Sequence, residues 1–262
     1  MEIEKGWLQK IMGLPPLASA HGGEIDFMIF LLHLLMLVLF VGWAVFFIVV
    51  LWKFRASRHS KANYKGVTNH YSTYIEVGVA VIEAILLLGF SIPFWAKNVD
   101  ALPTDRNTVV VRVVAEQFLW NVHYPGADGV FGKTDPNLVD KQTNPLGLDK
   151  SDPAAKDDIV SINQLHLPVN RQVLIYLSSK DVIHSFALNI MRVKQDAIPG
   201  LSIPIRFIPI KTGQSEIACA QLCGLGHYRM KGYLTVSTNK EFDEWLASQA
   251  KQSQSSSDDF WN

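Results

Sequence analysis

The sequence predicts a two-helix transmembrane hairpin followed by an exported all-β domain. Three observations carry that reading. Two apolar runs lie before residue 96, a basic stretch joins them, and the chain after residue 105 breaks into short β-branched or aromatic runs separated by turn residues. Of the 262 residues, 48% are hydrophobic and the net charge is zero. That balance places part of the chain in lipid and offers no basic field for nucleic acid.

Residues 1–26 are expected to form an exported N-terminal arm. Ala18-Ser19-Ala20 has the small-residue character of a leader-cleavage site, but the apolar region before it is short and broken by Lys10. Two readings stay open for this segment: a cleaved leader, or an arm lying on the membrane surface. The hairpin is expected over residues 27–96, with spans at about 27–52 and 74–95. Each exceeds the roughly 20 apolar residues that cross a bilayer core. His33 is the sole titratable side chain of the first span, and Glu76 and Glu83 lie in the second. Between the spans, Lys53, Arg55, Arg58, Lys61 and Lys65 occur without an acidic residue. By the positive-inside rule that loop faces the cytoplasm or matrix, and both flanking segments lie on the other side.

The exported domain is expected over 105–238. TVVVRVVAEQFLWNVHY, IVSINQLHL, QVLIYLSS, IHSFALNI, IRFIPIKTG and GYLTVS read as strands of a sandwich or barrel. Gly126 to Asp158, rich in Gly, Asp, Pro and Lys, reads as a long surface loop. Residues 239–262 read as a C-terminal helix with Phe242 and Trp245 on one face, followed by a flexible tail over SQSSSDDFWN.

Both cysteines of the chain fall in one short stretch, Cys219-Ala-Gln-Leu-Cys223-Gly-Leu-Gly-His227-Tyr-Arg-Met230. Thiolate, imidazole and thioether together select a soft metal, copper before zinc. A blue-copper site uses one thiolate and two imidazoles, so two thiolates with one further histidine suit two copper ions. His184, in an apolar strand-like run after Asp181, is the candidate for that histidine. A disulfide between two exported cysteines four residues apart is the competing reading.

The loop pattern Cys-x3-Cys-x3-His-x2-Met, the upstream Asp181-x2-His184-Ser185 and the run KQDAIPG from Lys194 to Gly200 resemble subunit II of cytochrome c oxidase. The resemblance implies a two-helix membrane hairpin carrying a cupredoxin-like Greek-key barrel. It implies a binuclear CuA centre of two copper ions, bridged by Cys219 and Cys223. His184 and His227 would each bind one copper, Met230 would be a weak ligand, and Gln221 would offer its backbone carbonyl. The family usually has Glu where Gln221 stands. That side chain also contacts a magnesium ion shared with subunit I, for which a neutral amide is a poorer ligand. The aromatic cluster that accepts electrons from cytochrome c reads Gln117-Phe118-x-Trp120 here, with Phe118 where the family has Trp. Glu76 matches the glutamate at the mouth of a proton-uptake channel, whereas Glu83 has no family counterpart. Asp181 is the candidate by position for steering a lysine-rich donor, and the acidic residues of the long loop read mostly as a solvated surface.

The implied function is that of a respiratory oxidase subunit. It would take electrons from cytochrome c and pass them to haem in subunit I, where oxygen is reduced to water with proton pumping. Subunit I, and with it subunit III, cytochrome c and the lipid bilayer, are the implied partners. The chain holds no set of intramembrane histidines for haem. The departures at Phe118 and Gln221 lean towards a bacterial plasma membrane, with the copper domain on the periplasmic side, rather than a mitochondrial inner membrane. Two other readings compete. A copper-free quinol-oxidase subunit of the same fold would lack these ligands. A Sco-type copper-delivery protein would carry one anchor and a thioredoxin-like pattern.

Overall fold

A computed structural model of the chain describes residues 4–58, 61, 64–65, 69–99 and 107–258. The expected domain start at residue 105 and the last tail residues 259–262 lie outside the described residues. The chain forms two compact units, Met1–Gly23 with Ala101–Asn262 and Glu24–Asp100.

The second unit is the hairpin. Its first helix, α2 (Gly22–Lys53), follows the short α1 (Trp7–Ile11) and begins five residues before the expected Phe27. Glu24 in its first turn suits the positive end of the helix dipole, and its carboxylate accepts from Lys97 at the far end of the second span. The second span runs Tyr71–Lys97 as α3 (Tyr71–Leu86), a π-turn (Leu87–Ser91) and α4 (Ile92–Val99). Pro93 explains the π-turn. It has no N–H to give the carbonyl of Gly89 and its ring would clash there, so the helix takes in an extra residue one turn earlier. Both helices are long and apolar enough to cross a membrane, and neither buries its apolar window within the chain.

The β-domain is two five-stranded sheets. In the first, β3 (Ile159–Ile162), β2 (Leu119–Tyr124), β1 (Val109–Glu116), β5 (Val173–Ser179) and β8 (Ile203–Phe207) lie in that order. In the second the order is β4 (Gln164–Pro168), β10 (Lys231–Ser237), β9 (Gly213–Cys219), β6 (His184–Leu188) and β7 (Val193–Ala197). The β1–β5 and β4–β10 pairs are parallel and the rest antiparallel. β1 alternates without a fault: Val109, Val111, Val113 and Ala115 face in, while Arg112 and Glu116 face out. One core joins the inner faces, with Trp120 and Ile175 from one sheet and Leu165, Phe186 and Ile217 from the other. This is the cupredoxin-like architecture in sandwich form.

Two of the expected strands each split. TVVVRVVAEQFLWNVHY folds back on itself at Gln117–Phe118, because Glu116 pairs with Leu119 and leaves a two-residue turn. IVSINQLHL changes sheet at Asn163, whose φ of 57° is a left-handed conformation that asparagine tolerates. That corner is pinned on both sides: Asn163 Oδ1 accepts from the Trp120 amide at 2.8 Å, and its carbonyl accepts from the Tyr233 amide at 2.7 Å. The run IRFIPIKTG is a strand only as far as Phe207, and β7 and β9 were not expected.

The end of the N-terminal arm, residues 17–20, belongs to the β-domain's unit. Its residues pack into the β-domain as an added strand-like segment. The Ala18 amide donates to Ile190 O, the Ile210 amide to Ala18 O and the Ala20 amide to Ile208 O, while Ser19 Oγ donates to Met191 O at 2.6 Å. Ala18 and Ser19 have no exposed surface, whereas Trp7 and Ile11, nearer the start of the arm, stand 71% and 73% exposed.

The long loop is built rather than loose. Asp135 and Asp152 cap short 3-10 turns, Asp140 accepts from Gln142 and Thr143, and Asp157 accepts from the amides of Ala127 and Asp128. Asp158 is buried with His123, at 2.8 Å, and also accepts from the Gly132 amide. The C-terminal helix α5 (Asn239–Asp258) starts at a capping box in which Thr238 and Glu241 bond reciprocally. It buries Phe242 and stacks Trp245 on His166 with ring centroids 4.0 Å apart. It continues through Asp258, so the first residues of the expected flexible tail are helical.

Candidate metal centre

The centre sits where β6, the end of β9 and the loop before β10 converge. β6 brings His184, β9 ends on Cys219, a 3-10 turn begins at His227, and Met230 leads into β10. Cys219 Sγ lies 3.8 Å from Cys223 Sγ, far beyond the roughly 2.05 Å of a disulfide, and both thiols are free. The geometry therefore removes the disulfide reading. Cys223 Sγ is 3.6 Å from His227 Nδ1 and 3.7 Å from Met230 Sδ. His184 Nδ1 is 3.1 Å from Met230 Sδ and 4.0 Å from Cys219 Sγ. The ligand atoms of His184, Cys219 and Cys223 all lie within 4.8 Å of one another. The Gln221 carbonyl is 3.2 Å from Cys219 Sγ, while its side chain is exposed.

This donor set fits soft metal. Sulfur and imidazole nitrogen converge at separations that metal–ligand bonds of about 2.0–2.3 Å can span. The electrostatics agree. Burial, and then the neighbouring Cys219, pushes the Cys223 thiol up to about 11, so two adjacent thiolates need a cation between them.

The surroundings orient the ligands. Asp181 Oδ1 lies 2.9 Å from His184 Nε2, and a carboxylate only accepts, so Nε2 carries the hydrogen and Nδ1 faces the sulfurs with its lone pair. Asp181 Oδ2 accepts from the Gln117 amide at 2.7 Å. Burial acts to raise the Asp181 pKa, but the hydrogen bonds from His184, Gln117 and Val182 outweigh it and hold the carboxyl below the ordinary range. Asp181 thus faces the candidate ligand His184 while its carboxylate stays partly exposed.

Gln117 and Phe118 form the tip of the β1–β2 turn. Gln117 Nε2 donates to the Cys223 carbonyl at 2.6 Å. The Phe118 ring lies so close to Gly226 that a Cβ there would come within 2.4 Å of it. Trp120, by contrast, has no exposed surface. It packs against Phe186 and edge-on to His184, at 5.3 and 6.2 Å between centroids. Around the ligands, Leu222, Leu225 and Tyr228 stand 76%, 98% and 86% exposed. Glu76 belongs to the hairpin unit, on an exposed face of α3. The bond from Gln117 to Cys223 was hidden from sequence reasoning, since the two residues are 106 positions apart.

Comparison with known proteins bears on this centre. A family model described as "Cytochrome C oxidase subunit II, periplasmic domain" matches residues 109–236, which include every ligand candidate. The alternative cytochrome c oxidase subunit 2 of Bradyrhizobium diazoefficiens is 32% identical over 214 residues, 81% of this chain and 73% of the relative. The probable cytochrome c oxidase subunit 2 of Rickettsia bellii is 29% identical over 246 residues, 92% of this chain and 84% of the relative. The crystal structure of the periplasmic domain of cytochrome oxidase subunit II from Bradyrhizobium japonicum is 28% identical, covers 58% of this chain and 99% of its own, and superposes with a TM-score of 0.42.

Proposed function

The chain belongs to the cytochrome c oxidase subunit II family, and from that premise we propose that it relays electrons through a binuclear copper centre into the haem-bearing subunit of a respiratory oxidase. The single observation that carries the copper reading is the convergence of Cys219, Cys223, His184, His227 and Met230 on one buried point. Cys219 and Cys223 would bridge two copper ions, His184 and His227 would bind through Nδ1, and Met230 Sδ and the Gln221 carbonyl would complete the set. Copper held there supplies a one-electron couple shared between two metals.

The chain's own residues keep that couple in a fixed frame. Asp181 sets the His184 tautomer, and Gln117 holds the Cys223 carbonyl. Trp120 and Phe186 pack beneath the site, and neither they nor His184 have any exposed surface. Ligands held on neighbouring strands of one sheet and braced by Gln117 and Trp120 from the other move little when charge changes, which is what fast electron transfer requires. Phe118, half exposed over the copper loop, is the aromatic group a cytochrome c donor can touch. Buried Trp120 lies behind His184 and is assigned to the frame, not to contact with the donor. Leu222, Leu225 and Tyr228 offer apolar contact to partners at the same loop. The uncharged Gln221 amide favours no hard cation, so magnesium is left out of this reading.

Subunit I, with the haems that reduce oxygen, and subunit III are the proposed partners. Glu76 is the proposed proton-uptake carboxylate, serving subunit I in proton pumping. The basic loop between the spans supports a β-domain on the side opposite the cytoplasm or matrix, and the departures at Phe118 and Gln221 lean towards a bacterial plasma membrane. The test is copper stoichiometry and electron paramagnetic resonance on the purified full chain. Two coppers per chain, with the hyperfine pattern of one electron spread equally over both, is the expected result. One copper, or none, overturns the reading.

A further inference from the structure

Glu76 and Glu83 are seven residues apart on α3, so they share one face. The π-turn extends that face. An i→i+5 turn takes one extra residue into the helical register, so Ser91 occupies the place that position 90 of an uninterrupted helix would have, seven after Glu83. By that register Glu76, Glu83 and Ser91 lie in one polar row, in which Glu76 and Glu83 are exposed and Ser91 is half-buried.

That row runs up an apolar helix. Glu83 is twelve residues from Tyr71 and fourteen from Lys97, close to the middle of the span. Its side chain and that of Glu76 are exposed, and neither has a side-chain partner among the described residues. Hydrocarbon cannot satisfy a carboxyl group there. The first helix offers no charged donor between Phe27 and Trp52: its sole titratable side chain there is His33, which bonds to its own Ile29 carbonyl. A second copy of the chain would set like groups against like.

We propose that Glu76, Glu83 and Ser91 form a seam covered by a transmembrane helix of a partner chain, which presents hydrogen-bond donors to Glu83 at mid-membrane. The inference rests on the reading of the chain as an oxidase subunit and adds to it a specific contact surface. A seven-residue repeat is the spacing at which a neighbouring helix, crossing at a shallow angle, meets the same face on successive turns. The polar groups at that spacing call for a partner of complementary chemistry, not for lipid.

The test uses dicyclohexylcarbodiimide, which enters hydrocarbon and modifies carboxyl groups there. It is applied to the full chain alone in phosphatidylcholine vesicles and to the chain in its purified membrane complex, with peptide mass spectrometry as the readout. Glu83 should be labelled in the lone chain and protected at least tenfold in the complex. Equal labelling in both overturns the seam. Glu83→Leu should lower co-purification of the membrane partner at least tenfold, and Glu83→Gln, which keeps an acceptor oxygen, should restore most of it. Undiminished recovery of the partner with Glu83→Leu also overturns the seam. The copper spectrum of each variant reports that its β-domain is folded. If the unaltered chain brings down no haem-bearing partner, the oxidase reading falls and the seam with it. If it does and Glu83 stays labelled, only the seam falls.

Discussion

The β-domain and the hairpin treat their carboxyl groups in opposite ways. In the β-domain, Asp158 is buried yet bonded to His123 and Gly132, and Asp181 is bonded to His184, Gln117 and Val182. In the hairpin, Glu76 and Glu83 stand exposed on an apolar helix with no side-chain partner among the described residues. The β-domain bonds these two carboxyl groups itself, and the second span leaves two of its own to be met from outside. The difference follows from what each must do. Metal ligands need a frame that does not depend on assembly, whereas a membrane face gains specificity by matching a partner.

The sharpest way to break the self-sufficient side is to remove a bridging thiolate. Cys223→Ser is expected to abolish the two-copper signal, read by metal analysis and electron paramagnetic resonance, while the sheets stay folded. Trp120→Ala would empty the space beneath His184 and is expected to cost about 3–5 kcal/mol in urea unfolding, the range for large aromatic deletions. Asp158→Ala would leave His123 in the interior without its acceptor. A loss of about 3–5 kcal/mol is expected if the pair is ionic, and less if His123 is neutral; unfolding at several pH values separates the two. Gly226→Ala would drive a methyl group into the Phe118 ring. A cost of about 1–3 kcal/mol and an altered copper spectrum are expected. Thr238→Ala removes a helix cap and should cost about 1 kcal/mol with no change in copper binding.

Copper uptake also has a pH dependence with a definite sign. The Cys223 thiol, raised to about 11, keeps its proton through neutral pH in the metal-free protein, so binding copper must release it. Affinity is therefore expected to fall as pH falls, by about tenfold per unit for each proton released. Competition titrations at several pH values check the slope. An affinity that rises towards acid would contradict the thiolate ligand set.

The two regions also differed in how far they could be read from sequence. The candidate copper ligands were legible because most of them are local: Cys219, Cys223, His227 and Met230 lie on one loop, and Asp181 precedes His184 by three residues. The spans were legible from length and apolarity, though not their starts, which depend on Glu24 and on Tyr71 just beyond the apolar core. Strand ends were harder. The turn at Gln117–Phe118 has no glycine or asparagine to announce it, and the sheet change at Asn163 depends on partners in β2 and β10. β7 and β9 carry Lys194, Gln195, Asp196 and Gln214, Ser215, Glu216 in their middles, so their strand character comes from pairing with β6 and β10, not from composition. The pairing of the N-terminal arm with the β-domain was hidden for the same reason. Nothing in Leu17-Ala18-Ser19-Ala20 names Met191 as its partner.

That arm has a consequence for how the protein is made. The Ser19 to Met191 hydrogen bond joins residues 172 positions apart, and the arm also needs Ile208 and Ile210. Ser19 leaves the ribosome long before any of these exist. The first segment of the chain must therefore wait, on whichever side of the membrane it reaches, until strands made much later arrive on that same side. A hairpin with only one span inserted would put the arm and the β-domain on opposite sides and deprive the β-domain of this segment. The finished fold thus serves as a check that both spans are inserted, and a half-inserted chain would carry unpaired strand edges that proteolysis can recognise.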